Sequence, residues 1–182
     1  MNYKYLNELE RNLEIQAHSY LLQKDDSLFE SQTRAELNQI TLVNRLKAHI
    51  GQFKMFYLVD KNIYAKIIEI CAEFVLLEEI QFRYLININQ LLGVEKLSNL
   101  NTRLTRFEEK WNLKSSLRDL MLRKVVVQIK MMNQQQVQGI LTNFFKDHFD
   151  LVTNNGTLTL QTNLVTWVKY KSEIEILSDE KI

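Results

Sequence analysis

The chain has 182 residues, of which 46% are hydrophobic, and its 23 basic residues are nearly balanced by 22 acidic ones. This length and apolar content are enough for one domain with a substantial core, and they exclude a mostly disordered chain. The balanced charge argues against a protein whose whole surface binds nucleic acid or membrane, although a local patch remains open.

Residues that interrupt helices are scarce. Proline is absent and glycine occurs only 4 times, and both residue types weaken helix interiors. The scarcity favours long helices joined by short connections, although the amino-acid bias of an AT-rich genome would also produce it. The sequence shows no internal repeat.

The single cysteine, Cys71, excludes an intramolecular disulfide framework and fits a reducing compartment. The first residues lack the apolar run of a secretory signal. Charged residues such as Glu69 and Glu78 interrupt the most apolar stretch, so no segment qualifies as a transmembrane span. We therefore expect a cytoplasmic protein without contact to membranes.

Two helices are predicted at the N-terminus. Leucines at helical spacing predict the first over residues 3–23. Ser27, with Glu30 three residues later, forms the capping box of a second helix that ends near Gly51. The polar break between them is short enough for an antiparallel pair.

The next segment, residues 52–59, is short and rich in aromatic residues. It carries Phe53, Phe56 and Tyr57, and its pattern is that of a helical turn or a brief linker. These rings either fill the core or form an exposed patch that binds a partner.

The long apolar run from Lys61 to Leu92 predicts the central helix of the fold. Its apolar residues recur at steps of three and four, and a second set widens the stripe until little polar surface remains. A helix that is apolar nearly all round has neighbours on several sides. Asp60 is a suitable N-cap, and Gly93 a suitable end.

Three further helices are predicted before the pattern changes. The first covers 94–112, and the second runs over 117–132 from a capping box at Ser116 to Asp119. The third begins at Val137 and reaches His148.

The C-terminal part predicts a β-hairpin. Residues 150–160 alternate in polarity around Asn154 to Gly156, and an Asn-Gly pair tolerates the positive φ angles of a tight hairpin turn. Residues 162–177 then predict a last helix, with a third strand through 165–168 as the competing interpretation.

No catalytic motif or metal-ligand set stands out. The three histidines, His18, His49 and His148, lack the partners of a zinc or di-iron site at the required spacing. Asp147 and His148, with Asp150 nearby, form the only acid/base-like cluster, and helix capping and solvation explain it better than catalysis. We therefore expect no enzyme activity, no metal and no cofactor.

These patterns together predict a mainly all-α fold, a multi-helix bundle around a long central helix with a small C-terminal β-hairpin. It forms one domain over residues 1–182. Residues 117–177 give a helix–helix–hairpin order similar to the second half of a winged helix.

The function that this fold favours is a non-catalytic protein-interaction module: an adaptor, inhibitor or regulatory subunit. It would bind a partner protein, or itself, through an exposed aromatic helical surface. The candidate contact residues are Phe53, Phe56, Tyr57 and Trp111.

The alternative is a nucleic-acid-binding accessory factor of replication or transcription that uses residues 117–160. Basic side chains bind phosphates, and glutamine pairs with adenine from the start of a recognition helix. The candidate residues are Arg118, Arg123, Lys124, Lys130, Gln134 and Gln135. A small ligand between helices remains open, because such pockets leave little trace in one sequence.

Overall fold

The structure is a computed structural model that describes Glu14 and residues 37–172. The chain divides into two compact units, Met1–Thr41 and Leu42–Ile182. Apart from Glu14, the residues of the helix predicted over 3–23 lie outside the described residues, and so does the capping box at Ser27. Those of the second unit form one antiparallel sheet with short helices.

The all-α prediction is wrong, because a 10-stranded antiparallel sheet dominates the second unit. The strands are β1 (Phe53–Tyr57), β2 (Asn62–Ile70), β3 (Phe74–Glu78), β4 (Phe82–Asn87), β5 (Gly93–Val94), β6 (Val126–Met131), β7 (Gln136–Phe144), β8 (His148–Thr153), β9 (Gly156–Gln161) and β10 (Val165–Lys171). The helices are α1 (Leu42–Lys47), α2 (Arg106–Lys110) and α3 (Leu113–Leu122), with 3₁₀ turns at Ile88–Gln90 and Thr162–Leu164.

The strand order across the sheet is β5-β1-β2-β3-β4-β10-β6-β7-β8-β9. Strands β1 to β4 form one meander, and β6 to β9 form another. The last strand, β10, lies between β4 and β6 and pairs antiparallel with both. It therefore joins the two meanders into one continuous sheet.

The predicted central helix over 61–92 is instead the meander β2, β3 and β4. Strand β3 is buried on both faces: Phe74 and Leu76 pack into one apolar cluster, and Val75 and Leu77 into the other. A strand covered on both sides loses the alternation of polar and apolar residues that identifies a strand in sequence. The uninterrupted apolar run therefore resembled a buried helix.

The region predicted as a helix pair contains one helix and two strands. Helix α3 ends at Leu122, and the following residues form β6 and β7. Strands β8 and β9 form the expected hairpin, with Gly156 at φ 118° directly after the turn. The competing interpretation of 165–168 as a strand is confirmed, because these residues belong to β10.

The second unit is built from two structural repeats. Each has a helix, four meandering strands, a 3₁₀ turn and a fifth strand that pairs back onto the first strand. The first half is α1 with β1 to β5, and the second half is α3 with β6 to β10. The sequence does not reveal this repeat.

The pairing register repeats at a constant displacement of 74 residues, as from Lys66 to Ile140 and from Glu78 to Val152. Lys66 is the partner of Glu78, and Ile140 is the partner of Val152. The same displacement relates every partner pair of β3 and β4 to one of β8 and β9. The two halves therefore share one backbone plan, residue for residue, over three strands.

A β-bulge recurs at the same place in both halves. The register shifts between Ile67 and Glu69 in the first half, and between Leu141 and Asn143 in the second. A bulge adds one residue to a strand and increases its local bend. Its repetition indicates that the bend belongs to the shared plan.

Candidate functional site

An open cavity of about 520 Å³ lies at the seam between the two halves. Both halves contribute to it around β4, the start of α3 and the second 3₁₀ turn. Its lining consists of Glu73, Asn87, Asn89, Leu113, Lys114, Asp147, Gln161, Thr162 and Asn163.

The lining includes the same positions from each half. Asn89 and Asn163 are identical residues that lie 74 positions apart in the two 3₁₀ turns. Each turn is also held in the same way: Ile88 donates its N–H to the backbone oxygen of Glu73, and Thr162 donates to that of Asp147, both at 2.9 Å. The seam is therefore lined by matched polar groups.

Several polar atoms of the cavity already have partners. Asn87 accepts a hydrogen bond from the N–H of Asn89 at 3.0 Å. Asp147 lies 2.7 Å from Nδ1 of His148, and this hydrogen bond, as the largest cause, lowers the pKa of the carboxyl group. Lys114 donates to the backbone oxygen of Lys146.

The hydroxyl group of Thr162 differs from these. Thr162 is buried, and its Oγ1 has no hydrogen-bond partner within the described residues. A buried polar atom without a partner costs free energy unless water or a ligand satisfies it. Together with the amide side chains, it makes the seam suited to a small polar group with donors and acceptors.

The described residues contain no group of three or more His, Cys, Asp or Glu side chains that would hold a metal ion. Cys71 is buried, and burial raises the pKa of its thiol to about 12. At neutral pH the thiol is therefore protonated and a poor nucleophile.

The second candidate feature is the pair of outer strands. Within residues 42–172, no strand pairs with the outer edge of β9 or with that of β5. Strand β9 contains neither a charged residue nor a proline. Leu158 on β9 is 42% exposed, and Leu92 beside β5 is 69% exposed.

The four aromatic residues predicted to bind a partner do not form one patch. Phe56 is fully buried in the core. Phe53 is exposed and stacks on Tyr64 with ring centroids 5.6 Å apart. Tyr57 lies on β1 beside β5. Trp111 is partly buried, and its Nε1 donates to Ser116 Oγ at 3.0 Å.

The basic residues predicted to bind nucleic acid are also dispersed. Lys130 is buried in β6, with its Nζ 3.6 Å from Oδ2 of Asp60. Arg123, the C-cap residue of α3, forms an ion pair with Asp119 in the last turn of the helix at 2.8 Å.

The remaining residues of that set lie on exposed surface. Arg118 projects from α3 with its guanidinium carbon 5.6 Å from the ring centroid of Phe144. Lys124 and Gln134 occupy turns with φ of 51° and 67°, and Gln135 follows Gln134. The structure therefore brings no recognition helix and no basic cluster together from these residues.

One cluster at the junction of the halves was missed from the sequence. The Nζ of Lys61 lies 3.8 Å from the ring centroid of Trp167 and 4.3 Å from that of Tyr84. Burial lowers the pKa of Lys61 to about 8, and the carboxylate of Asp60 partly opposes this change. These residues are far apart in the chain, and the successive pairing of β2, β3, β4 and β10 brings them together.

No protein-family model matches the chain, and no curated protein matches it in sequence. Within the described residues, no helix is both long and apolar enough to cross a membrane.

Proposed function

We propose that the protein is a non-catalytic interaction module that binds a protein partner by strand addition at the open edges of its sheet. In this mode an extended segment of the partner pairs with an exposed strand through main-chain hydrogen bonds. The contact surface is therefore a sheet edge, in place of the helical surface expected from the sequence.

The observation that carries the proposal is the composition of β9. Natural proteins protect edge strands with charges, prolines or bulges, because an exposed edge otherwise pairs with other chains. Strand β9 has the sequence Gly-Thr-Leu-Thr-Leu-Gln and lacks charge and proline. The side chain of Leu158 is also partly exposed there. Such an edge is suited to a partner strand.

Site-specific photocrosslinking in the native host tests this proposal. A photoreactive phenylalanine analogue is placed at Leu158, on the open edge, in the full chain. We expect light-dependent adducts with protein that disappear when Thr159→Pro removes the edge N–H. The matched control carries the analogue at Ile80, which is 97% exposed in the turn between β3 and β4. Equal adducts at both positions, or none at Leu158, would contradict strand addition.

A second candidate function is the binding of single-stranded nucleic acid at the seam cavity. The supporting observation is the pair of equivalent amides, Asn89 and Asn163, beside the unpartnered hydroxyl of Thr162. Amide side chains read the edges of unpaired bases, and proteins recognise single strands through such pockets. Lys114 on the cavity wall provides a cation for the backbone.

Fluorescence anisotropy with labelled single-stranded oligonucleotides tests the second candidate. We expect the double variant Asn89→Ala with Asn163→Ala to weaken binding roughly 30-fold or more, since each of the two base contacts contributes ~1–3 kcal/mol. The salt dependence stays the same, because amides do not contact phosphates as cations do. The control is Asn101→Ala, an exposed asparagine that does not line the cavity. Absence of binding at low salt removes this function.

A further inference from the structure

We propose that the partner at these edges is a second copy of this chain, joined head to tail, with β9 of one copy paired with β5 of the next. This inference rests on the proposed function and names the partner of the same edges. It follows from the internal repeat, because the chain already contains one example of the contact.

The internal example is the junction between β4 and β10. Strand β4 is the fourth strand of the first half, and β10 is the fifth strand of the second half. They pair antiparallel through five partner positions, from Trp167 with Ile86 to Lys171 with Phe82. A fourth strand of one repeat therefore accepts a fifth strand of another.

Within the part of the chain that the structure describes, the two open edges are the same two strand positions left without partners. Strand β9 is the fourth strand of the second half, and β5 is the fifth strand of the first half. Within residues 42–172 these two strands lie at opposite edges of the 10-stranded sheet and do not pair with each other. A second copy presents the matching strand to each.

The displacement of 74 residues relates β4 to β9, and it also relates the two 3₁₀ turns that precede β5 and β10. We apply the same displacement to the contact between copies. The internal partners Val168 and Leu85 correspond to Val94 and Thr159. We therefore expect Val94 of one copy to lie opposite Thr159 of the next.

The backbone groups at these positions point in the required direction. Glu95 donates its N–H to Met55 on β1, so the neighbouring N–H of Val94 points away from β1. Thr162 donates toward Asp147, beside β8, and alternation along β9 then directs the N–H of Thr159 to the open edge. Neither N–H group points toward a strand within residues 42–172, so both are directed to pair with another copy.

The contact is shorter than the internal junction. Strand β5 contains only Gly93 and Val94, and Lys96 has a φ of 55°, which ends extended pairing on that side. Fewer ladder positions give a weaker contact, so we expect assembly to depend on concentration.

A head-to-tail assembly keeps one unpaired edge strand at each of its two ends. It closes into a ring when the rotation between successive units divides a full turn, and it otherwise continues as a filament. Each chain supplies two equivalent units, so every closed ring has an even number of repeats.

Two proline variants of the full chain test the pairing. Thr159→Pro blocks the β9 edge and Val94→Pro blocks the β5 edge, because proline lacks the N–H that the contact uses. Native mass spectrometry and light scattering follow the mass over a range of micromolar concentrations. We expect multiples of the monomer mass for the unchanged chain and the monomer for each proline variant alone.

An equal mixture of the two variants gives the decisive result. One variant retains only β9 and the other only β5, so head-to-tail pairing yields a dimer and nothing larger. Its formation also shows that both proline variants fold. The control Thr159→Val loses the hydroxyl contact to Asp150 but keeps the N–H, and it assembles like the unchanged chain. Leu158→Lys, a charge on the edge without proline, reduces assembly.

Three results of the mass measurements would overturn the proposal. They are an unchanged chain that stays monomeric at every concentration, a mixture that does not dimerise, and Val94→Pro alone forming a β9-to-β9 dimer. Photocrosslinks from Leu158 to a different protein, with a monomeric chain, would retain the interaction function while removing the second copy as partner. No crosslink from Leu158 would remove both.

Discussion

Gly139 lies in β7 where the strand passes close to the backbone of β8. A Cβ atom at this position would lie 2.2 Å from the backbone oxygen of Val152 and 2.9 Å from Cγ of Leu151. The equivalent residue in the first half is Ala65, which is also small and fully buried. Both halves therefore need a small residue at this position. In the second half only glycine fits, because there is no space for a Cβ atom.

We expect Gly139→Ala to lower the free energy of unfolding by about 2 kcal/mol, within the usual range for overpacking of a core. Urea unfolding followed by circular dichroism measures the change. Gly93→Ala is the matched control, since its added Cβ meets only Tyr57 at 3.9 Å and φ is not positive. Equal stability of the two variants would contradict the close approach of β7 and β8.

Lys61 gives a prediction on pH dependence. Burial lowers its pKa from 10.5 to about 8 in the folded chain. Between these two values the unfolded chain holds a proton that the folded chain has released, so the contribution of Lys61 to stability rises with pH. We expect the stability of the unchanged chain, relative to Lys61→Met, to increase between about pH 7 and about pH 10.

Urea unfolding of both proteins across this range checks the prediction, and a side-chain NMR titration of Lys61 measures the pKa directly. The comparison with Lys61→Met removes the contributions of the buried acids Cys71 and Tyr84, whose raised pKa values act in the opposite direction. A relative stability that falls as the pH rises would show that Lys61 is not desolvated.

At the scale of elements, α3 illustrates how a local signal was misplaced. The sequence favoured a capping box at Ser116 to Asp119, but the helix begins at Leu113 with Asn112 as its N-cap. The side chain of Asn112 accepts a hydrogen bond from the N–H of Ser115 at 3.0 Å. Polar residues suited to capping occur at both places, and the burial of Leu113 and Leu117 decides which is used.

Asn112→Ala should therefore lower the free energy of unfolding by about 1 kcal/mol, the usual cost of losing an N-cap. Urea unfolding measures it, with Asn112→Asp as the variant that keeps a capping oxygen. Ser116→Ala provides the comparison for the cap expected from the sequence. A larger loss from Ser116→Ala than from Asn112→Ala would contradict this helix start, although the Nε1 of Trp111 also donates to Ser116.

The strands were predictable from sequence only where one face meets solvent. The hairpin of β8 and β9 alternates and has turn residues at Asn154 to Gly156, so its pattern was informative. Strands β3 and β4 are covered on both faces, and no periodicity separates them from a buried helix. Burial on both faces depends on the elements that pack against the sheet, so the residues of β3 and β4 alone do not indicate it.

The candidate site was hidden for a similar reason. The seam brings Asn89 together with Asn163, and each is an ordinary amide in a short turn when viewed alone. Asn89 and Asn163 are equivalent because the two halves share the same strand register. Most side chains at equivalent positions differ, as Ala65 and Gly139 do. Residue spacing and composition do not indicate which positions of the two halves are equivalent, whereas the strand pairing shows it directly.

At the scale of the molecule, the two halves share their cores. The apolar cluster under α3 includes Phe74 and Leu85 from the first half, and the cluster under α1 includes Trp167 from the second. Strands β3, β4 and β10 contribute to both clusters. Loss of either cluster would expose one face of these strands, so we expect the halves to unfold together.

The two tryptophans report on the two clusters separately. Trp167 is buried in the cluster under α1, and Trp111 packs against the cluster under α3. Trp111→Phe and Trp167→Phe each leave one reporter, and the chain contains only these 2 tryptophans. In each variant we expect the urea transition by fluorescence to coincide with that by circular dichroism, as a two-state transition requires.

A fluorescence transition that precedes the dichroism transition in one variant would show that the halves unfold separately, and that β10 links two independent units.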